Sequence, residues 1–147
     1  MIKIKLIFVL ITIAFITGCG SAPNPNVPKW AGEQPPTDVI WGIGSSNLIN
    51  NTFSMQTAGN LAQNDVSQKV NAFVRQELYK HFNEAELAIN PEAAAAFEGI
   101  ERIITNLSIS GLALDIREQV PDGTWWVRVS VKKDDVLRHI NAVLNAN

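Results

Sequence analysis

The one thiol in the chain, Cys19, closes the tetrapeptide Ile16-Thr17-Gly18-Cys19 directly after an uncharged apolar run over residues 6–16. A cysteine in that setting does anchoring chemistry: the small Gly18 admits a peptidase to the bond before it, the sulfur then carries a diacylglycerol, and the freed amine takes a further acyl chain. Glu77 and His81, with Glu84 nearby, and Asp135 with His139 share an i,i+4 carboxylate–imidazole spacing. Two such faces brought together would supply the three or four ligands of tetrahedral zinc, but the spacing is equally that of a weak surface ion pair, and no metal site is assigned. Gly42-Ile43-Gly44-Ser45-Ser46-Asn47 opens like a dinucleotide fingerprint without its third glycine, its acidic ribose partner or a Gly-Lys-Ser/Thr. Ser45 and Ser46 lack the Gly-x-Ser-x-Gly elbow that exposes a nucleophile. Glu98 with Glu101, and Asp134 with Asp135, read as solvated or capping charges, since nothing beside them would push their acidities apart as a hydrolase pair needs. No catalytic residue is expected, and no cofactor beyond the covalent lipid on Cys19.

The apolar run is too short for a membrane-spanning helix, which needs about 20 such residues. Lys3 and Lys5 before it complete an export signal over residues 1–18. Cleavage there leaves 129 of the 147 residues, enough for one core without disulfides. Gly20 stands where an aspartate would resemble an inner-membrane retention signal, so the expected location is the outer membrane, lipid-anchored, at its periplasmic face or on the cell surface. Taking Lys3 and Lys5 from the 12 basic side chains leaves 10 against 14 acidic, a formal charge of −4. That surface has no general attraction for phosphate backbones, so nucleic acid is not an expected partner.

Residues 19–38 carry Pro23, Pro25, Pro28, Pro35 and Pro36 among Asn, Ser and Gly, and predict a lipidated flexible tether. Trp30 is its one large apolar side chain, suited either to docking on the following domain or to the headgroup level of a bilayer. A single domain then fills 39–147. Residues 39–44 predict a buried strand whose glycines let it pass closely beneath a helix. From Met55, Ala58, Leu61, Ala62, Val66, Val70, Phe73, Val74, Leu78 and Phe82 recur at three and four, the stripe of a long helix. Asn90-Pro91-Glu92 starts a second helix with a cap, a first-turn proline and a favourably placed acid. Its apolar face runs through Ala93, Phe97, Ile100, Ile104 and Leu107, with Gly99 marking close packing. Leu112, Leu114 and Ile116 alternate as a half-buried strand, Pro121-Asp122-Gly123 turns the chain, and Trp125, Val127, Val129 and Val131 line one face of the return. Trp125 and Trp126 must therefore point to opposite faces, the outward one being the leading interaction candidate. An amphipathic helix over 134–144 ends the chain. The order β-α-α-β-β-α predicts an α+β fold, a small, mainly antiparallel three-stranded sheet packed against helices.

Trp41-Gly42-Ile43-Gly44-Ser45-Ser46, the Ala58-x-x-x-Ala62 helix start, Ile109-x-Gly111, and Asp122-Gly123-Thr124-Trp125-Trp126-Val127-Arg128-Val129 follow one another in an order and spacing that resemble the LPP-twenty family of bacterial outer-membrane lipoproteins. Pro28-Lys29-Trp30 and the lipobox fit the same plan, and the likeness runs from Pro28 to about Leu144. Asn64-Asp65-Val66 and residues 84–90 depart from it. The resemblance implies an anchored envelope protein without enzymatic activity, with relatives among surface antigens and flagellar basal-structure lipoproteins.

The expected function is therefore a non-enzymatic structural or assembly component of the envelope, flagellum-associated in some relatives. Its expected partners are the bilayer, through Cys19, and a protein neighbour or second copy met through a sheet edge or exposed aromatics. The alternative is a periplasmic binding module for peptidoglycan or a small envelope ligand.

Overall fold

The computed structural model describes residues 24–146, so the lipobox residues Ile16, Thr17, Gly18 and Cys19 lie outside it. Short, β-branched Val39-Ile40-Trp41 begins strand β1 (Val39–Ser46), which pairs antiparallel with β3 (Trp125–Lys132), itself paired antiparallel with β2 (Ala113–Gln119). The sheet order is β1-β3-β2. Helices α1 (Asn51–Leu78), α2 (Glu84–Ile89), α3 (Pro91–Ser110) and α4 (Lys133–Leu144) complete an α+β fold.

Gly42 and Gly44 point at α1, and their missing side chains set how near it lies. A Cβ on Gly42 would come within 2.7 Å of Val66 Cβ and closer still to the Ala62 carbonyl oxygen; one on Gly44 would come within 2.8 Å of Leu61 Cβ and closer still to the Ala58 carbonyl oxygen. No other residue fits a strand pressed against a helix backbone at that distance.

The buried positions of α1 are Ser54, Ala58, Ala62, Val66, Val70, Val74 and Leu78, spaced strictly by four. Four residues advance an α-helix about 40° beyond a full turn, so the stripe winds around its axis. Its small N-terminal members meet the sheet, and its C-terminal half turns toward α3 and α4. There Phe97, Ile104, Val136 and Ile140 close the core, and Phe97 stacks on Tyr79 at 5.0 Å and takes Phe82 edge-on at 5.3 Å.

Several boundaries differ from the expectation. Helix α1 begins four residues before Met55, because the Asn50 side chain accepts from Phe53 N–H and caps it there. The six-residue α2 is an additional element: Asn83 caps it and it buries no residue, so no apolar stripe announces it. Asn90 does cap α3, accepting from Glu92 and Ala93 N–H at 3.0 and 3.3 Å. Gly99 packs against nothing within 4 Å, so the expected close approach there is absent. Leu61 and Leu107 are exposed.

Strand β2 is not half-buried as the alternation implied. A bulge between Leu114 and Ile116 places Leu114 opposite Val129, on the helix side, and Ile116 opposite Arg128, on the other. The inserted Asp115 turns outward to accept from Ser130 Oγ at 2.8 Å. The helices lie over β1 and β3, which leaves Leu114 49% exposed.

Candidate functional site

The face of the sheet away from the helices carries Trp41 from β1 and Trp126, Arg128 and Ser130 from β3, as alternation demands. Residues 24–38, part of the stretch expected to form a flexible tether, cross this face as a strap held to the domain at Asn26, Trp30, Thr37 and Asp38. Trp126 Nε1 donates to the Asn26 carbonyl at 3.1 Å and Pro28 is buried. A 3₁₀ turn at Lys29–Gly32 then sets Trp30 over the sheet, its Nε1 donating to Glu118 Oε2 at 2.8 Å. The strap's far end is held where Lys133 donates through its backbone N–H to Asp38 O at 2.8 Å and through Nζ to Thr37 O at 2.6 Å.

Arg128 is the centre of this layer. Its guanidinium carbon lies 4.2 Å from the Trp41 ring centroid and 5.6 Å from that of Trp30, a cation between two indoles. Asp115 Oδ2 stands 3.5 Å from Nε and Glu33 Oε2 4.0 Å from Nη1, yet neither nitrogen makes a hydrogen bond among the described residues. Stacking and charge, rather than directional bonds, hold the side chain.

The free edge of β1 is filled by α1. Asp65 Oδ2 accepts Ile43 N–H at 2.9 Å, Lys69 Nζ donates to Trp41 O at 3.1 Å, and the two side chains pair at 2.8 Å. They occupy groups that a further strand would use. At the end of the strand Ser54 Oγ donates to Ser46 O at 2.7 Å and accepts Leu48 N–H at 3.1 Å.

A polar cleft of about 280 Å³ opens between α1 and α3, lined by Asn71, Arg75, Glu98, Glu101, Arg102 and Thr105 among others. Glu101, read from sequence as solvated, is 7% exposed. Its Oε1 accepts from Asn71 Nδ2 at 2.7 Å, whereas Oε2 has no hydrogen-bond partner among the described residues and sees Arg75 Nη1 at 3.9 Å. Hydrogen bonding to Tyr79, and then the Glu101 charge, raise the Arg75 pKa above its ordinary value. The missed signal was spacing: Glu101 follows Phe97 by four and precedes Ile104 by three, in the buried phase of α3.

The other sequence candidates stay apart. Trp125 donates through Nε1 to Asn51 Oδ1 at the start of α1, and Trp30, Trp125 and Trp126 are each half-buried. Glu77 pairs with Lys80 at 2.6 Å, Asp135 pairs with Arg138, and His81 is exposed. Among the described residues no group of three or more His, Cys, Asp or Glu is placed to hold a metal ion. His139 Nδ1 lies 3.2 Å from Ser108 Oγ, but that hydroxyl donates to Ile104 O at 2.8 Å and is buried, so it accepts from the ring instead of attacking a substrate. Ser45 and Ser46 have no histidine partner among the described residues.

No protein-family model matches the chain, and no curated protein matches it significantly.

Proposed function

We propose that this chain is an outer-membrane-anchored lipoprotein, of the kind the LPP-twenty resemblance implies, acting as a non-enzymatic structural or assembly component of the envelope. The observation that carries the reading is Cys19 at the end of Ile16-Thr17-Gly18-Cys19, after a basic start and an apolar run too short to span. Three acyl chains on one residue, two in the diacylglycerol and one on the amine, make an anchor that does not readily dissociate. The packed strap supports it, because a body fastened from Asn24 onward would be held near its lipid. Assembly on this reading uses the β2 edge, since Asp65 and Lys69 fill that of β1. Radiolabelled palmitate entering the wild type but not Cys19→Ala tests the anchor. A photo-cross-linker at Leu114 joining a neighbour in intact cells, and one at Ile43 joining none, tests the assembly edge.

A second reading, a binding module for peptidoglycan or a small envelope ligand, is favoured by Glu101 Oε2, which makes no hydrogen bond among the described residues and has only the distant Arg75 charge beside the cleft. Such an oxygen suits a donor such as an amine or amide. Retention on purified peptidoglycan that disappears in Glu101→Gln supports it, and equal recovery of both proteins dismisses it.

A further inference from the structure

The described chain begins at one end of the sheet. Asn26 meets Trp126 there, Asn24 and Pro25 share a cavity wall with Val120 and Pro121 of the β2–β3 turn, and Trp126 pairs with Ser45 near the end of β1. The β1–α1 loop leaves from the same end, tied to the β2–β3 turn by Asn47 Nδ2 donating to Asp122 O at 3.2 Å. That loop and the first turn of α1 expose Leu48 at 49%, Ile49 at 110% and Phe53 at 61% of their surface. Such large side chains, close in sequence and projecting from one tip, exceed the scattered apolar exposure a soluble surface ordinarily carries.

Charge is absent from the same stretch. Between Asp38 and Asp65 there is no Asp, Glu, Lys, Arg or His, so lowering the tip among lipid headgroups desolvates no ionic group of its own. Among the described residues the charges at that end are Asp122, exposed at the β2–β3 turn, Glu118, bonded to Trp30, exposed Lys29, and exposed Arg117, whose Nη1 reaches Met55 Sδ in the first turns of α1.

We infer that Leu48, Ile49 and Phe53 form a second, non-covalent contact with the bilayer that carries the lipid anchor. The inference rests on the anchor reading. From Cys19 to Asn24 is five residues, a reach of at most about 18 Å. A lipid on Cys19 therefore draws this end of the domain, and no other, to the membrane surface. There the tip enters the headgroup and acyl boundary to a depth of about 5–10 Å, as apolar faces of peripheral proteins do. The 28-residue α1 then carries the far end of the domain away from the surface by roughly 40 Å if it stands upright. The occupant is a lipid surface because lipid is what the anchor's reach brings to the tip.

The test uses the full chain in its membrane. With the Cys19 sulfur acylated, Ile49→Cys and Ile89→Cys each offer a single thiol for a polarity-sensitive fluorophore, and both parent side chains are exposed enough for the fold to tolerate the change. Ile89, 83% exposed in α2 beyond the other end of α1, is the control. Emission from position 49 is expected to shift to the blue and be quenched several-fold more by spin-labelled lipids than emission from position 89. Equal quenching at both positions, with the protein still sedimenting with membranes, overturns the inference and leaves the anchor standing. A blue shift at 49 without lipid quenching overturns it too, because the tip is then seated on protein. Failure of the wild type to sediment, with Cys19 open to thiol reagents, removes the anchor reading and this inference with it.

Discussion

The carboxylate of Asp65 accepts the backbone N–H of Ile43 at 2.9 Å, so a helix side chain stands where a fourth strand would pair with β1. Lys69, one turn on, does the same for the Trp41 carbonyl at 3.1 Å, and the two side chains hold each other in place. Asp65 and Lys69 thus have a shared physical use: an i,i+4 ion pair that covers an exposed strand edge.

Replacing Asp65 by alanine leaves Ile43 N–H without its protein partner and frees Lys69. A loss of about 1 kcal/mol in urea unfolding is expected, together with increased self-association in sedimentation velocity as the β1 edge opens. Asp65→Asn keeps an acceptor oxygen and should associate less. Unchanged sedimentation of Asp65→Ala would show that the edge is protected by something else.

Gly42→Ala and Gly44→Ala force the α1 backbone outward, and overpacking of this kind costs about 1–3 kcal/mol or more. Gly99→Ala should move the other way, gaining up to about 1 kcal/mol, since its Cβ meets nothing and helix propensity rises. Denaturant midpoints of the three variants check both directions at once.

Arg128 lies between Trp30 and Trp41 with its side chain 14% exposed, and its flat guanidinium is what fits there. Arg128→Lys keeps the charge but not the plane, so it should loosen the strap nearly as much as Arg128→Gln. The readout is faster proteolysis within residues 24–38 and a red shift in tryptophan emission. A lysine variant as resistant as the wild type would show that charge alone holds the strap.

Hydrogen bonding from the Thr124 side chain, and then from its backbone N–H at 2.9 Å, lowers the Asp122 pKa below the ordinary carboxylate value. A depressed folded-state pKa stabilises above the unfolded-state value, and that stability is lost as pH falls through the folded one. The β2–β3 turn should therefore be firmest at neutral pH and loosen in acid. NMR titration of the Asp122 carboxyl is expected to move toward the ordinary value in Thr124→Val.

The layered order of the fold was legible because each main element carried its own period: glycines beneath a helix in β1, steps of four in α1, alternation in β3. What escaped depended on contacts between elements. The β2 bulge is fixed by Asp115 reaching Ser130 and Arg128, partners remote in sequence, so alternation alone put Ile116 on the wrong face. Proline content argues against helix from residue 20 to about residue 38, yet a 3₁₀ turn forms at Lys29–Gly32, and proline content does not reveal that Trp30, Asn26 and Thr37 find partners on the sheet and α4. Glu101 reads as solvated by its charge alone, whereas its position in the α3 stripe is what buries it.

Intact mass measurement of the protein extracted from native membranes tests the central claim most directly. The account predicts a chain beginning at Cys19 and heavier than its residues by a diacylglycerol and one further acyl group. A chain that keeps Met1, with an unmodified cysteine and free passage into buffer, would contradict it.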